Sequence, residues 1–387
     1  MIVSGYGPTL LSSIGYGAVI PLIAVIALRE GASVGTAAFV TALLGIGQVV
    51  GDLPAGWIAA RLGDRRAMIG ACLLDAAALT GMFLSGSLLT LGLAVFIDGM
   101  AGAVFGLARQ TYLTEVIPLR LRARALSSLG GVFRIGFFVG PLIGAAIVAG
   151  ASLRTAFAFA ACMSLTAAVV TWVLPDLEQA DHVHIVPHRV SLRAVVAEHK
   201  FVFATQGVGV LVLMAVRSAR QAIIPLWCES NGLSAASTSL IFALSMGFDV
   251  LLFFPGGWIM DRFGRWWVTV PAMVVLGLGL GLLPLTHTAW TIAAVAALLG
   301  IGNGTSSGIV MTLGSDASPA VGRPQFLSVW RLFGDTGNSS GPLVITLVTV
   351  AAPLAAASVA LAAISWAGAA WLGRWVPGGP GRRTSTT

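Results

Sequence analysis

Long apolar runs separated by short polar segments dominate the chain. Each run has about 20 residues or more, which is the length that crosses the hydrocarbon core of a bilayer as an α-helix. The pattern therefore predicts an all-α membrane protein with twelve transmembrane helices. The predicted helices lie at residues 9–28, 36–60, 67–89, 91–114, 125–149, 152–174, 202–227, 234–260, 266–286, 288–313, 325–349 and 352–376.

One polar motif between these runs occurs twice. Residues 54–66 read PAGWIAARLGDRR, and residues 255–267 read PGGWIMDRFGRWW. The offset between the copies is 201 residues, and the same offset relates Gly140 to Gly341 much further along the chain. A constant register over so long a stretch predicts that the chain consists of two copies of one unit.

Composition supports the membrane assignment. Of the 387 residues, 57% are hydrophobic and only 10% are charged, and the mean hydropathy is +0.92. Soluble domains carry about a quarter charged residues.

No Lys or Arg precedes the first apolar run, and no small-residue cleavage site follows a short apolar core. This run is therefore predicted to be a retained helix and not a signal peptide.

Basic residues fall on one side of the predicted helices. If both termini are cytoplasmic, fifteen Arg and Lys residues lie in the inner loops and tail, and only Arg29 and Arg154 lie in outer loops. Membrane proteins concentrate positive charge on the cytoplasmic side, so we expect cytoplasmic termini and a location in the cell membrane. The net charge of +7 then reflects topology and contact with anionic lipid. A nucleic-acid partner is not expected.

The repeat and the helix count predict the domain organisation. The predicted segments are an N-terminal six-helix bundle at 1–175, a cytoplasmic linker with a short amphipathic helix at 176–200, a C-terminal six-helix bundle at 201–378, and a cytoplasmic tail at 379–387. Because the other loops are brief, successive helices are expected to be antiparallel neighbours.

This arrangement resembles the major facilitator superfamily. The family signature between the second and third helices is Gly-x-x-x-Asp-Arg-x-Gly-Arg, which the second copy matches in full. The first copy has Ala60 where the family has Asp. The matching residues are Gly56, Arg61, Gly63, Arg65 and Arg66 in the first copy and Gly257, Asp261, Arg262, Gly264 and Arg265 in the second. The resemblance implies the major facilitator fold, with two pseudo-symmetric six-helix bundles.

A second motif is similar to one found in drug–proton antiporters of this family. It lies in the fifth predicted helix and consists of Gly136, Gly140, Pro141 and Gly144. It lacks only a final glycine, which is Ala145 here. The arginine that this branch carries in its fourth helix is also missing, since Val95 stands at that position, near Asp98. Independently of the resemblance, small residues spaced four apart favour close helix packing in lipid.

The resemblance implies that the doubled signature is a cytoplasmic latch for the outward-facing state. Besides the matching residues, this cytoplasmic gating motif includes Asp64 and Glu115. Because Ala60 replaces the usual Asp, the first latch is expected to depend on Asp64, Glu115 or Asp52, or to be weaker. The alternative is that these residues only supply the positive charge of the inner loops.

Ionisable side chains inside apolar runs are costly in lipid and mark candidate functional sites. The proton-coupling candidates are Asp52, Asp98, Arg134, Asp249, Arg331 and Asp335. Arg331 and Asp335 are four residues apart, so they share a helix face. The fold of the resembling family implies that Arg134 pairs with Asp249, and Asp52 with Arg331 or Asp335. The alternative is a structural ion pair that fixes packing and does not titrate.

Other intramembrane charges have two interpretations each. Asp98 is either a proton entry point near the outer side or a solvated side chain in an outer cavity. Asp75 is discounted, because the third helix of the family usually faces lipid or other helices. Arg109 is expected to extend to the inner interface. Arg217 and Arg220 either bind an anionic group of the substrate or reach the outer water.

Several other chemistries find no support. His182, His184 and His188 lie in a solvated linker with acidic neighbours, so a metal site is not expected. With Lys200 as the only lysine, the chain has no phosphate-binding loop of the Gly-x-x-x-x-Gly-Lys type. No nucleophile, base and orienting acid occur together. We therefore expect neither an enzyme nor a cofactor, and the energy for transport is expected to come from an ion gradient.

These observations predict a secondary active transporter that exports small amphipathic or drug-like compounds in exchange for protons. The alternative is uptake or exchange of a metabolite, an organic anion or a lysolipid. A membrane enzyme or receptor would not explain the doubled signature. The expected partners are a small-molecule substrate, protons and the lipid bilayer, and the protein is expected to be a monomer. The candidates for the substrate cavity are Tyr16, Phe133, Arg217, Arg220, Met246, Trp330 and Asn338.

Overall fold

The computed structural model describes residues 2–117, 119–173, 191–319, 321–376 and 378. Within these ranges the regular structure is entirely helical. A π-helical turn precedes α9 and a 3-10 turn follows α11. The α-helices are α1 (Ile2–Arg29), α2 (Val34–Leu62), α3 (Asp64–Leu84), α4 (Leu88–Val116), α5 (Leu119–Gly150), α6 (Thr155–Val173), α7 (Leu192–Glu198), α8 (Lys200–Val202), α9 (Val208–Ser230), α10 (Ala235–Phe263), α11 (Trp266–Leu282), α12 (Ala289–Thr305), α13 (Ile309–Ala317), α14 (Arg323–Thr349) and α15 (Leu354–Trp375).

Eleven helical segments in the described part of the chain are long and apolar enough to cross a membrane. The eleventh predicted span, at 325–349, forms α14, which is long enough at 27 residues. It is not among the eleven because a polar stretch, DTGNSS at 335–340, interrupts its apolar sequence. The predicted set of helices is therefore present, and one of them is unusually polar for a membrane span.

The predicted repeat extends to the helix caps. Ser33 caps α2 by accepting a hydrogen bond from the backbone NH of Thr36 at 3.1 Å. Ser234, 201 residues later, accepts from the NH of Ser237 at 3.1 Å at the start of α10. Capping boxes likewise begin α4 and α12 at equivalent positions. Each cap satisfies an NH group that the first helical turn leaves unpaired, so both copies begin these helices by the same local chemistry.

The signature loops contain a glycine that the turn requires. Gly63 ends α2 with φ of 81°, and Gly264 follows α10 with φ of 99°. This left-handed region is costly for residues that carry a Cβ atom. A glycine at this position allows the chain to reverse direction in a loop of one or two residues between consecutive spans.

Contacts divide the chain into two compact units. The first unit comprises Met1–His184 and Ile224–Met246, and the second comprises Ile185–Ile223 and Gly247–Thr387. In the first unit α1 packs on α5 and α6, α2 packs on α4, and α3 packs on α4 and α6. In the second unit α11 packs on α12 and α15, and α14 packs on α15. The division into two six-helix halves stays a prediction.

The glycine motif of α5 lies against α1. A Cβ atom at Gly136 would lie 2.0 Å from Ser13 Oγ, and one at Gly140 would lie 2.4 Å from the carbonyl oxygen of Ile14. The second unit repeats this contact, since a Cβ atom at Gly341 would lie 2.2 Å from the carbonyl oxygen of Ala215 on α9. The spacing of small residues therefore predicted a real close approach of two helix backbones.

The tenth predicted span is broken in its C-terminal half. α12 ends at Thr305, a turn covers residues 306–308, and α13 continues from Ile309 to Ala317. Ser306 and Ser307 donate their hydroxyl groups to carbonyl oxygens of the preceding turn. Side-chain bonds of this kind compete with the helical backbone pattern, and the break turns Ser307 toward α10.

Candidate transport site

The first unit contains a cavity of about 50 Å³ among α1, α3 and α4. Its wall is mostly apolar and includes the rings of Tyr16 and Phe105. Two carboxyl groups, those of Asp75 and Asp98, also line it. A volume of this size has room for a few water molecules. The cavity therefore combines apolar surface, one hydroxyl and two acids inside predicted membrane spans.

The two carboxyl groups line the same cavity from different helices. Asp98 lies on α4 and is 3% exposed, and Asp75 lies on α3. Asp75 accepts a hydrogen bond from the hydroxyl of Ser164 on α6. Two acids therefore face one small cavity, and one of them is held by a hydroxyl donor.

This geometry corrects two expectations about the first unit. Asp98 is buried, so its interpretation as a solvated side chain is wrong. Asp75 was discounted, yet it lines the same cavity as Asp98. A usable signal was present in the sequence, because an acid in the middle of an apolar span requires a partner. The partner itself lies on another helix and could not be identified from spacing.

Arg109 also differs from the expectation that it extends to the interface. Its Nε atom is buried and has no hydrogen-bond partner within the described ranges. The guanidinium lies over the Phe105 ring at 5.4 Å, and Nη1 is 3.5 Å from the hydroxyl oxygen of Thr9. The side chain thus packs inside the first unit, near the inner end of α4.

The second unit contains a buried polar network that joins α9, α10 and α12. Arg220 is 1% exposed, and its Nη2 lies 3.7 Å from Oδ2 of Asp249. The side-chain NH₂ group of Asn303 donates to the same oxygen, and Ser307 donates to Oδ1 at 3.0 Å. Asn303 in turn accepts from Nε of Arg217 at 2.6 Å. Arg217 and Arg220 therefore bind protein groups, and the buried Arg220 does not reach outer water.

The sequence analysis did not identify Asn303 or Ser307. Asn303 lies in the last turn of α12, after a run of small and apolar residues, and it is 4% exposed. A buried amide needs hydrogen-bond partners, so an Asn at this depth was a signal in itself. Its partners lie on α9 and α10, at distances along the chain that no motif fixes.

The remaining proton-coupling candidates are half-buried. On α14, Nε of Arg331 lies 3.2 Å from Oδ2 of Asp335, as their spacing predicted, and Asn338 continues this face. Arg134 donates from Nη1 to the carbonyl oxygen of Gly130 at 3.0 Å. Asp52 is half-buried on α2. The expected pairs between residues of different units stay predictions.

Aromatic residues form a group in the first unit. The rings of Tyr16 and Phe133 each lie 5.5 Å from that of Phe137, which is 6.4 Å from Phe242. Of these, Phe133 is the most exposed, at 38%. Phe137 and Phe242 were not among the cavity candidates. These rings place aromatic surface on α5, between Tyr16 of α1 and Phe242 of α10.

Two other candidates for the substrate cavity are buried. Met246 is 3% exposed. Trp330 is 4% exposed, and its indole NH donates to the carbonyl oxygen of Val310 at 2.9 Å. A Cβ atom at Gly314 would lie 2.6 Å from the Trp330 ring, so the ring fills the space that this glycine leaves. Trp330 therefore holds α14 against α13 in this structure and is not a free cavity wall.

The signature loops bind neighbouring helix ends by two different contacts. Arg65 donates to the carbonyl oxygens of Thr171 at 3.1 Å and Trp172 at 2.7 Å, at the end of α6. Arg265 instead pairs with Asp316 on α13 at 2.8 Å. A cation at a helix C-terminus is favourable because the final carbonyl groups carry partial negative charge.

The other gating residues are at the ends of the same helices. Arg61 lies over the Trp57 ring at 5.1 Å, and Arg262 lies over the Trp258 ring at 5.3 Å. Asp64 is the first residue of α3, and Gly56, Gly257 and Asp261 lie near the ends of α2 and α10. The structure does not describe the side chain of Glu115. The linker histidines also fall outside the described residues, and no metal-binding cluster occurs within them.

Comparison with known families decides the classification. The sequence profile of the Major Facilitator Superfamily matches residues 9–342 and, again, residues 207–386. The chain belongs to the Major Facilitator Superfamily. It is therefore a transporter of that superfamily and not an enzyme, and it is an integral membrane protein.

Curated relatives within the superfamily are distant. The multidrug resistance protein MdtG of Erwinia billingiae is 24% identical over 177 residues, which cover 45% of this chain and 43% of that protein. A gallate transporter of Pseudomonas putida is 34% identical over 154 residues, covering 36% of this chain and 33% of that protein. The matched stretches span less than half the length of either relative.

Solved structures of the superfamily share the fold over nearly the whole chain. A POT family transporter in complex with 5-aminolevulinic acid superimposes with a TM-score of 0.77 at 12% identity, covering 97% of this chain and 96% of that one. A D-xylose–proton symporter gives 0.75 at 14% identity, covering 98% and 99%. At such identities the likeness establishes the fold alone.

Proposed function

We propose that this protein exports small amphipathic or drug-like compounds in exchange for protons, by alternating access. The observation that carries the proposal is that Asp75 and Asp98 line one cavity of the first unit, inside candidate membrane spans. Two ionised carboxylates that share a poorly solvated cavity repel one another. The pair therefore favours one bound proton, which is what a proton-coupled carrier needs inside the membrane.

At about 50 Å³ the cavity is too small for such a compound, so it must widen during alternating access. The residues that line it are of the kind that binds an amphipathic substrate. Tyr16 and Phe105 present aromatic surface beside the two acids, and the neighbouring ring of Phe133 is partly exposed. Ligand sites commonly combine such apolar surface with a few polar groups that fix orientation. Two distant relatives named as multidrug resistance proteins support the export direction.

The wider organisation follows from the same proposal. The signature loops, with Arg65 bound to the end of α6 and Arg265 bound to Asp316, act as cytoplasmic latches that break and reform as the protein alternates. The two six-helix halves at 1–175 and 201–378 move as the alternating bodies. We propose a monomer in the cell membrane with both termini in the cytoplasm.

The decisive experiment uses inside-out vesicles or proteoliposomes with an acidic lumen and a pH-sensitive fluorescent dye. Addition of cationic amphipathic dyes should dissipate the gradient in vesicles that contain the protein. Asp75→Asn and Asp98→Asn should each abolish this flux, because each removes one of the two carboxyl groups whose mutual repulsion drives uptake and release of the proton. Undiminished gradient-driven transport in both variants would refute the role of the pair.

A specific observation favours a second function. Arg217 lies near the middle of a predicted membrane span, where a cation is costly unless it serves a function. Uptake or exchange of an organic anion would use such a residue, and one distant relative is a gallate transporter. In the same vesicles, transport of an aromatic carboxylate with no response to any cationic dye would favour this second function.

A further inference from the structure

The second unit carries its polar groups where the first unit carries its cavity. The offset of 201 residues relates Tyr16 to Arg217 and Gly102 to Asn303. Tyr16 and Gly102 both line the cavity of the first unit. The repeat therefore places a guanidinium and an amide at the positions that face open space in the other copy.

The acids of the first unit have no counterpart in the second. Leu276 and Leu299 occupy the positions that correspond to Asp75 and Asp98. The two copies thus differ in chemistry at corresponding positions: the first has carboxyl groups on α3 and α4 and Tyr16 on α1, and the second has leucines on α11 and α12 and Arg217 on α9. A duplicated transporter can in this way assign the proton to one copy and an anionic group to the other.

We infer that Arg217 binds a carboxylate of the transported compound and that Asn303 is the residue that positions it. This inference rests on the second function proposed above, transport of an organic anion, and specifies that the anionic group is a carboxylate. Arginine is suited to this task because its planar group forms paired hydrogen bonds with a carboxylate.

Asn303 is held rigidly enough to position a neighbour. Its NH₂ group donates to Asp249, so its carbonyl oxygen must face Arg217, and this oxygen accepts from Nε at 2.6 Å. Asp249 is itself fixed by Ser307 and by the fully buried Arg220. Arg220 and Asp249 therefore fix the side-chain amide of Asn303, and this amide fixes the guanidinium of Arg217.

The close packing of α10 and α12 supports this rigidity. A Cβ atom at Gly304 would lie 2.8 Å from Cα of Asp249, so the two backbones touch beside the amide. Side chains held by neighbouring packing and hydrogen bonds keep a binding group in its productive geometry. Loss of the Asn303 amide should disorder Arg217 while the helices stay in contact.

The test measures binding to the purified full-length protein in detergent, without a proton gradient. Benzoate, salicylate and gallate are each compared with their methyl esters, which keep the ring and lose the charge. The wild type should bind the acids about tenfold or more tightly than the esters. Arg217→Gln and Asn303→Leu should bring this ratio close to one, and Arg217→Lys should keep part of it.

The ratio of the affinity for an acid to that for its ester distinguishes loss of positioning from general damage. A misfolded site would weaken the binding of acids and esters alike. Asn303→Ser provides a smaller substitution if the leucine variant does not fold. Thr305→Val is the matched control on α12; its hydroxyl bonds only to backbone carbonyl oxygens of its own helix, so it should leave the ratio unchanged.

Three results would overturn the inference. These are equal binding of acids and esters by the wild type, retention of the ratio in both folded Asn303 variants, and tighter binding of phenyl phosphate than of any carboxylate. Proton flux with cationic dyes in vesicles is scored separately. A protein that shows this flux but no preference for acids would keep the proposed export function and lose the carboxylate site.

Discussion

Substitution of Gly140 by alanine tests whether the glycine motif of α5 is a packing device. A Cβ atom at Gly140 would lie 2.4 Å from the carbonyl oxygen of Ile14 and 2.7 Å from the backbone nitrogen of Ala18. Both neighbours are backbone atoms of α1, so no side-chain rotation can relieve the overlap. The helices would have to separate by about 1 Å to restore van der Waals contact.

Two opposing terms set the size of the effect. Overpacking of a tight contact costs about 1–3 kcal/mol, and a backbone neighbour favours the upper part of that range. Alanine is more favourable than glycine in a helix by about 1 kcal/mol. The expected net loss in free energy of unfolding is about 2 kcal/mol, or a midpoint lower by about 5 °C.

The assay is thermal unfolding followed by a thiol-reactive fluorophore. Cys72 and Cys228 are buried and react only on unfolding, whereas Cys162 is exposed and would give a background signal. All variants are therefore made in a Cys162→Ala protein. Cys72 lies in the same unit as the α1–α5 contact, so its exposure reports on the perturbed region.

Gly131→Ala is the matched control on the same helix. A Cβ atom there would meet nothing within 4 Å, so only the helix-propensity gain applies and the midpoint should stay or rise. Gly140→Ala should thus be less stable than Gly131→Ala by about 3 kcal/mol. Equal stability of the two variants would refute the reasoning that this glycine is required for helix contact.

Two further predictions concern charged groups. Arg220→Leu leaves Asp249 buried without its cation and should lower the free energy of unfolding by about 3–5 kcal/mol. The double variant Arg220→Leu with Asp249→Leu should recover most of this loss. Chemical denaturation measures both variants, and a double variant that does not recover stability would contradict the ion-pair explanation. Arg65→Ala removes two bonds to the end of α6 and should cost about 1 kcal/mol or more. Arg265→Ala should cost less, because its partner Asp316 is half exposed, and the reverse order in thermal unfolding would contradict this ranking.

Local chemistry explains why the helices and the repeat could be predicted. A membrane span is recognised from about 20 successive apolar residues. Its ends are formed by residues such as Ser33 and Gly63, whose hydrogen-bond partners lie within a few positions along the chain. The same offset that related the motifs also related the caps at Ser33 and Ser234. The close approach at Gly140 followed from the same kind of regular spacing.

Some predictions failed at positions where the partner was remote in sequence. Trp330 was expected in a cavity, yet it bonds to Val310 on α13. Asp75 was discounted from the usual environment of its helix in the family. Neither outcome depends on the residues nearby in the chain, because a side chain's neighbours on other helices are set by how each helix is rotated in its bundle.

The sequence by itself determined the spans, their caps, the two-fold repeat and the superfamily, because each depends on composition or on contacts a few residues apart. Only the tertiary structure decided that Asp75 and Asp98 line one cavity and that Asn303 joins Asp249 to Arg217. Apolar spans can rotate about their axes with little change in hydrophobicity, so hydropathy does not specify which polar groups face one another. Helix packing and buried hydrogen bonds make that choice.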